Sequence, residues 1–319
     1  MTSAHKPRSG SLQYWPRKRA KRAYARVRFW APGQAGKPVG FAGYKVGMIH
    51  VLATDNKPTS MTKGQDIVIP ATVIECPPLK IASVHFYKNT NKGLQLTSSL
   101  FSSKTDKELA RKIKIPKESK RKIDDVKEYD DIRVLVYTQP KLTGIGKKKP
   151  ELFELALGGS KEDKIKWVNE HLDKEINVED VLTEGQLVDI HAITKGKGLA
   201  GPMKRFGISR TSHKSEKGVR TPANLGAWTG ARQWRVAKAG QLGYQQRTEL
   251  NKWLIKIGDK PEEINKKSGY IRYGNIKNRY VLVKGSVAGA KKRLILLTNP
   301  IRPKKNIPNE APSITFTSN

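Results

Sequence analysis

The sequence predicts a mainly β protein with an α/β insertion, on three observations. Seven short runs rich in β-branched residues are bounded by Gly, Pro or polar residues. Only two segments carry a helix-start signal with an apolar face behind it. Two long stretches hold almost no acid and almost no apolar period. Short strands interrupted by helical inserts fit a closed or nearly closed β-barrel that carries an α/β insertion, with the two acid-poor stretches as long irregular extensions.

Residues 1–40 come first. They hold Pro7, Gly10, Pro16, Pro32, Gly33, Gly36 and Pro38, with Tyr14, Trp15, Tyr24, Phe29 and Trp30 set between basic runs such as Arg17–Arg22. No helix or strand period runs through them, so they are expected to be a basic N-terminal extension without fixed structure of its own. The expected strands follow at Tyr44–Leu52, Ile67–Cys76, Ile81–Tyr87, Ile132–Thr138, Leu187–Thr194, Tyr280–Lys284 and Leu294–Thr298. Thr105-x-x-Glu108 is a capping box followed by Leu109 and Ile113 and stopped by Pro116; Ser160-x-x-Asp163 is a second, with Ile165, Val168 and Leu172 on one face. The expected core is therefore 41–194 with 249–305, interrupted by an α/β insertion at about 95–180. Residues 195–248 form a basic central loop, and 306–319 a C-terminal tail. The loop has nine glycines and two prolines, and its aromatic residues before 240 are Phe206, Trp228 and Trp234.

Charge divides the chain more sharply than structure does. Of 319 residues, 62 are Lys or Arg and 28 Asp or Glu, a net charge of +34. Residues 1–54 carry 11 Lys and Arg and no acid, and 190–248 carry 12 and the single acid Glu216. Residues 55–189 are nearly balanced at 24 against 22, and 249–319 hold 15 against 5. A solvated surface normally mixes both signs. Two stretches of more than 50 residues almost stripped of acids mark a polyanion partner, because that much positive charge repels itself without one.

Other functions find little support. With 37% hydrophobic residues the chain has enough apolar content for a core. No run of 18 apolar residues offers a membrane span, and the first residues lack the apolar segment of a secretory signal. One cysteine, Cys76, excludes an internal disulfide framework and a cysteine-cluster zinc site, and the six histidines form no His-x-x-x-His pair. Asp124-Asp125 and Asp130-Asp131 are carboxylate pairs in a Lys-rich polar stretch, which reads as solvated loop rather than acid–base machinery. Gly196-x-Gly198-x-x-Gly201 follows a strand and mimics a dinucleotide fingerprint, but Pro202 follows it and no amphipathic helix is expected to open there. Thr194–Gly198 reads better as a thin, donor-rich turn for phosphates. No nucleophile elbow occurs, so an enzyme is not expected.

Nucleic acid is the partner these features fit. Glycine lets the backbone approach phosphates, Lys and Arg neutralise them, and Trp stacks on unpaired bases. The expected contacts are Arg17, Lys18, Arg19, Lys21 and Arg22 in the tail, and Lys195, Lys197, Lys204, Arg205, Arg210, Arg220, Arg232, Arg235 and Arg247 in the loop. Trp228 joins them, because it sits in Asn224-Leu-Gly-Ala-Trp-Thr-Gly230 between basic stretches and outside any apolar period. No cofactor is expected beyond Mg ions carried by the RNA. Two competing classes make different demands. An architectural DNA binder would hold duplex DNA as tightly as structured RNA, and an RNA-acting enzyme would need a metal or cofactor site.

The same residues resemble a family, the universal large-subunit ribosomal protein L-three in its archaeal/eukaryotic form. Its spaced signature is met by Leu182, Asp189, Ala192, Thr194, Gly196, Lys197, Gly198, Gly201 and Arg205, followed by Phe206-Gly207. Further agreement lies in Gly40–Met48, Asn224–Trp228, Ala239–Tyr244, Arg247–Lys252 and Val283–Gly289, so the likeness covers about residues 8–305. It implies a translation-factor-type β-barrel, large-subunit ribosomal RNA and neighbouring ribosomal proteins as partners, no small-molecule substrate and no membrane, and a cytoplasmic place in the large subunit. It also implies a role in subunit assembly and a central loop reaching toward the peptidyl transferase centre with Trp228 nearest its tip. One departure stands out: many eukaryotic members carry a His twelve residues before that Trp, where this chain has Glu216, with His213 three residues earlier.

Overall fold

The computed structural model describes residues 11, 15–116, 126, 128–222, 224–227 and 229–318. Fourteen strands and three short α-helices lie among them. In chain order the strands are β1 (Gly40–Thr54), β2 (Asp66–Glu75), β3 (Leu79–Thr90), β4 (Gly93–Phe101), β5 (Asp131–Tyr137), β6 (Leu152–Ala156), β7 (Glu175–Ile176), β8 (Leu187–Ile193), β9 (Gly196–Ala200), β10 (Gly240–Gly243), β11 (Gln246–Gly258), β12 (Tyr280–Lys284), β13 (Leu294–Thr298) and β14 (Ile314–Thr317). The helices are α1 (Lys161–His171), α2 (Val178–Val181) and α3 (Pro202–Phe206).

The chain divides into two compact units. A small unit holds Met1–Arg22 and Ile193–Gln246, and a large unit holds Ala23–Ala192 and Arg247–Asn319. The large unit is built on two sheets. In the first, neighbours run β13-β8-β11-β12-β2-β1-β14, and β1 also pairs with β13, so the pairings from β1 return to β1. These pairings are antiparallel wherever their register is resolved, with Gly40 opposite Thr298 on one side of β1 and Met48 opposite Thr72 on the other. Every residue of β8 and β13 is buried. Strands covered on both faces read as near-continuous apolar runs, interrupted in β8 only by the buried Asp189 and His191, which is why the sequence announces them. Phe41, Tyr44 and Tyr280 fill the interior with no exposed area, each contributing about 1.5–3 kcal/mol of apolar burial.

The second sheet has the order β4-β3-β5-β6, with β7 added beside β3. It opens at Leu79, earlier than the insertion start expected near residue 95. Helix α1 follows it, and the expected capping box is present: the Ser160 hydroxyl accepts from Asp163 N, and the Asp163 carboxylate accepts from Ser160 N.

The capping box at Thr105 does not make an α-helix. Lys107–Arg111 is a 3-10 turn preceded by Asp106. The Asp106 carboxylate is taken by Lys80 at 3.0 Å and by the Tyr137 hydroxyl at 3.1 Å, and Leu109 alone in the turn is buried. Those tertiary bonds fix a turn too short to propagate a helix before Pro116. The N-terminal stretch also departs from expectation. Tyr24 and Ala25 belong to the large unit's core cluster, with Val27 and Trp30 packed on it, so the compact units part at residue 22 rather than 40. Asp124 and Asp125 lie outside the described residues.

Candidate nucleic-acid interface

The candidate interface belongs to the small unit, and its geometry starts with a two-stranded sheet. β9 pairs antiparallel with β10, Gly240 opposite Ala200 and Gln241 opposite Leu199. Thr194 N donates to Gln245 O at 3.0 Å, Gln245 N donates back to the Thr194 hydroxyl at 3.2 Å, and Tyr244 N donates to Lys195 O at 3.1 Å. Gly243 holds φ +70°, and a Cβ there would overlap the Lys195 carbonyl. The Thr194–Gly198 segment expected as a turn is thus mostly strand. Glycine at 196, 240 and 243 hid it, since a strand without side chains carries no period.

A five-residue helix, α3, follows where no helix was expected. Pro202 opens it and Gly207, at φ +67°, closes it with its N–H on Met203 O at 2.8 Å. The helix sets Arg205 and Phe206 in place. The Arg205 guanidinium donates from Nε to Gln241 O at 3.0 Å and from Nη1 to Lys238 O at 3.0 Å and Ala239 O at 3.5 Å. Partial burial lowers its pKa from the usual guanidinium range. A Cβ on Gly240 would come within 2.8 Å of that guanidinium. Phe206 is buried, and Arg17 lies over its ring at 4.0 Å while donating from Nη1 to Arg205 O at 3.1 Å. The tail continues alongside: Ala20 N donates to Tyr244 O at 2.8 Å, Arg19 stands 5.5 Å over the Tyr244 ring, and Arg235 stands 5.9 Å over Trp15.

The expected contact residues therefore separate. Arg17 and Arg205 are turned onto the small unit's own backbone and Phe206. Lys18, Lys21, Lys195, Lys197, Lys204, Arg210, Arg220 and Arg232 are exposed, and among the described residues no acidic partner is recorded for them. Arg22 is exposed, and Arg247 is half-buried at the start of the large unit's returning segment. Trp228 lies outside the described residues. Trp234, which the expected contact list leaves out, is 75% exposed beside this cationic set. Its signal was that of Trp228, a Trp set between basic residues, though less isolated.

A family model described as ribosomal protein L3 matches residues 1–316. A large ribosomal subunit protein uL3 of Methanobrevibacter smithii is 43% identical over 330 aligned residues that take in 100% of this chain and 98% of that protein. The uL3 protein of Archaeoglobus fulgidus is 44% identical, covering 94% of this chain and 93% of its own length, and that of Methanocaldococcus jannaschii is 41% identical, covering 98% and 96%.

The chain belongs to the ribosomal protein L3 family.

It is a protein of the large ribosomal subunit, serves translation in the cytoplasm as part of the ribosome, and is not an enzyme. Among the described residues no helix is long and apolar enough to cross a membrane. The family signature now has a physical reading. Leu182 and Ala192 are buried in the large unit's core. Asp189, with no exposed area, accepts Asn251 N at 2.8 Å and Ile301 N at 2.9 Å, so one carboxylate ties β11 to the segment after β13. Thr194 and Arg205 hold the small unit's sheet. Gly201 accepts Arg205 N at 3.0 Å as the α3 cap. Lys197, exposed on β9, is the one charged signature residue left facing outward.

Proposed function

We propose that the small unit binds large-subunit ribosomal RNA by neutralising phosphates that would otherwise repel where RNA helices pack closely. The observation that carries this reading is a set of eight exposed cations without recorded acidic partners, mounted on a scaffold that Arg17 and Arg205 hold from inside. Such a surface reads folded RNA shape more than base sequence. Counterion release drives it, with log K falling by about 0.7–0.9 per phosphate contact per log unit of salt.

The reading extends to fold and place. The pairings that return to β1 support a translation-factor-type barrel in the large unit. In the family's manner, residues 195–248 run inward toward the peptidyl transferase centre with Trp228 near the tip, and the cationic segments aid subunit assembly beside neighbouring ribosomal proteins. No cofactor of the protein's own is needed beyond Mg ions held by the RNA. Sedimentation of native cell extract tests the partner: the protein is expected to travel with the large subunit and leave it only at high salt. Release at low salt, or equally tight binding of the purified protein to duplex DNA at matched salt, overturns the reading in favour of a general polyanion binder.

A further inference from the structure

A third acid-free stretch exists, and it is folded. Residues 264–309 hold twelve Lys and Arg and no Asp or Glu; the five acids of 249–319 are Glu249, Asp259, Glu262, Glu263 and Glu310, all outside it. It belongs to the large unit, where its strands β12 and β13 are buried apart from Lys284 at the end of β12, and its other cations lie outside the strands.

The first loop, 264–279, has no strand or helix, a length that usually means a loose or a functional segment. Here it is clamped. Asn265 and Ile276 exchange two hydrogen bonds at 2.9 Å, and the Tyr270 hydroxyl donates to Ile264 O at 2.6 Å. Beneath lies the Glu75 carboxylate of β2, with no exposed area, accepting the Tyr273 hydroxyl, Lys277 N at 2.9 Å, Asn278 N at 3.0 Å and Asn278 Nδ2 at 2.8 Å. The loop tip is a tight turn in which Tyr270 and Gly274 exchange backbone bonds at 3.0 and 2.9 Å. The second loop, between β12 and β13, reaches it directly through Lys291 Nζ, which donates to Ile271 O at 2.8 Å, and is tied to β1 by Lys292 N, which donates to Lys45 O at 2.8 Å.

Five cations, Lys267, Arg272, Lys277, Lys291 and Lys292, are exposed on these two joined loops, and among the described residues none has a recorded acidic partner. Arg279, at the loop's end, pairs with Glu179 and Asp259 and marks where the acids resume. Arg272 and Lys292 take left-handed backbone, φ +66° and +68°, two of the four non-glycine residues that do so among those described. Unfavourable backbone of this kind collects where a rigid frame presents side chains to a ligand.

We propose that these two loops form a second, preformed surface for RNA phosphates, carried by the large unit. It rests on the reading above that the partner is ribosomal RNA. Its rigidity sets it apart: the loops are fixed by Glu75 and by one another, so binding orders little new backbone.

The test uses the full chain and protein-free large-subunit RNA across a KCl series. Replacing Lys267, Arg272, Lys277 and Lys292 together by Gln, which leaves the Lys291–Ile271 bond in place, is expected to make the slope of log K against log salt shallower by about 3, one contact per residue, with the melting temperature unchanged. A companion variant replaces Lys18, Lys21, Lys197 and Lys204 by Gln. If the companion lowers the slope and the loop variant does not, the second surface is refuted while the small-unit reading stands. If neither lowers it, both fall. Should the loop variant misfold, ultraviolet crosslinking of intact subunits decides: adducts of the 264–279 and 287–293 peptides to RNA support the proposal, and adducts to protein alone refute it.

Discussion

The two units treat the same side chain differently. The large unit carries 44 Lys and Arg against 27 acids, the small unit 18 against one. In the large unit Arg279 pairs with Glu179 and Asp259, and Lys164 pairs with Asp131 at 2.6 Å. In the small unit Arg205 has no such carboxylates and turns to three backbone carbonyls. Order in the first comes from apolar burial and charge pairing. In the second a few arginines brace the backbone, and the remaining cations are left for a partner outside the chain.

Glu75 offers the strongest way to break this comparison, because it is a large-unit carboxylate that holds no cation in its first layer. Glu75→Ala leaves buried donors from Tyr273, Lys277 and Asn278 unsatisfied. At about 1–3 kcal/mol for each unsatisfied group, a loss of at least about 3 kcal/mol is expected, which lowers Tm by roughly 6–12 °C. A shift under about 2 °C in calorimetry would mean that water replaces the carboxylate and that the 264–279 loop is not clamped from below.

The equivalent residue in the small unit is Arg205. Arg205→Ala removes a charged donor from three carbonyls and is expected to cost about 2–3 kcal/mol locally. Hydrogen exchange at β9, β10 and α3 should accelerate by roughly 30–150-fold, while the large unit's strands exchange as before. Lys204→Ala, one residue away and exposed, should leave exchange unchanged and act on RNA affinity alone. If the two variants behave alike, the division between bracing and presenting cations is wrong.

How far the sequence disclosed this depends on what each element is made of. Strands buried on both faces, such as Leu187–Ile193 and Leu294–Thr298, were legible because the apolar run is itself the signal. β4 was not, since Gly93–Thr97 is exposed and its apolar residues, Leu94 and Leu96, are not the β-branched kind that marks a strand. β11 was missed because Gln246–Lys252 is mixed and only Trp253–Ile255 is buried in succession. The glycine strands β9 and β10 have no side-chain period to read. For the interface, acid depletion located the small unit's cations, but it did not separate Arg17 and Arg205 from the rest. Their partners are backbone carbonyls, which every residue has and no sequence pattern marks.

Histidine gives the smallest of these effects and the finest test of the contrast. His191 is buried in the large unit, its Nε2 3.1 Å from the Thr298 hydroxyl and its Nδ1 2.9 Å from the Thr248 hydroxyl. The Thr298 hydroxyl donates to Asp189 O at 3.4 Å, so it accepts from Nε2–H; when the ring is neutral, Nδ1 accepts from Thr248. Burial lowers its pKa below the ordinary 6.5, only partly opposed by the Asp189 carboxylate. Above pH 6.5 the ring is neutral folded or unfolded and contributes nothing to the pH dependence. As pH falls below 6.5 the unfolded chain takes up a proton that the folded chain refuses. Stability then declines by about 1.4 kcal/mol per pH unit until the folded pKa is reached. His191→Gln should flatten that part of the curve in denaturant melts between pH 7 and 5, whereas His213→Gln, exposed in the small unit, should leave it in place. A decline of equal slope in the His191 variant would assign the acid sensitivity to the carboxylate pairs of the large unit instead.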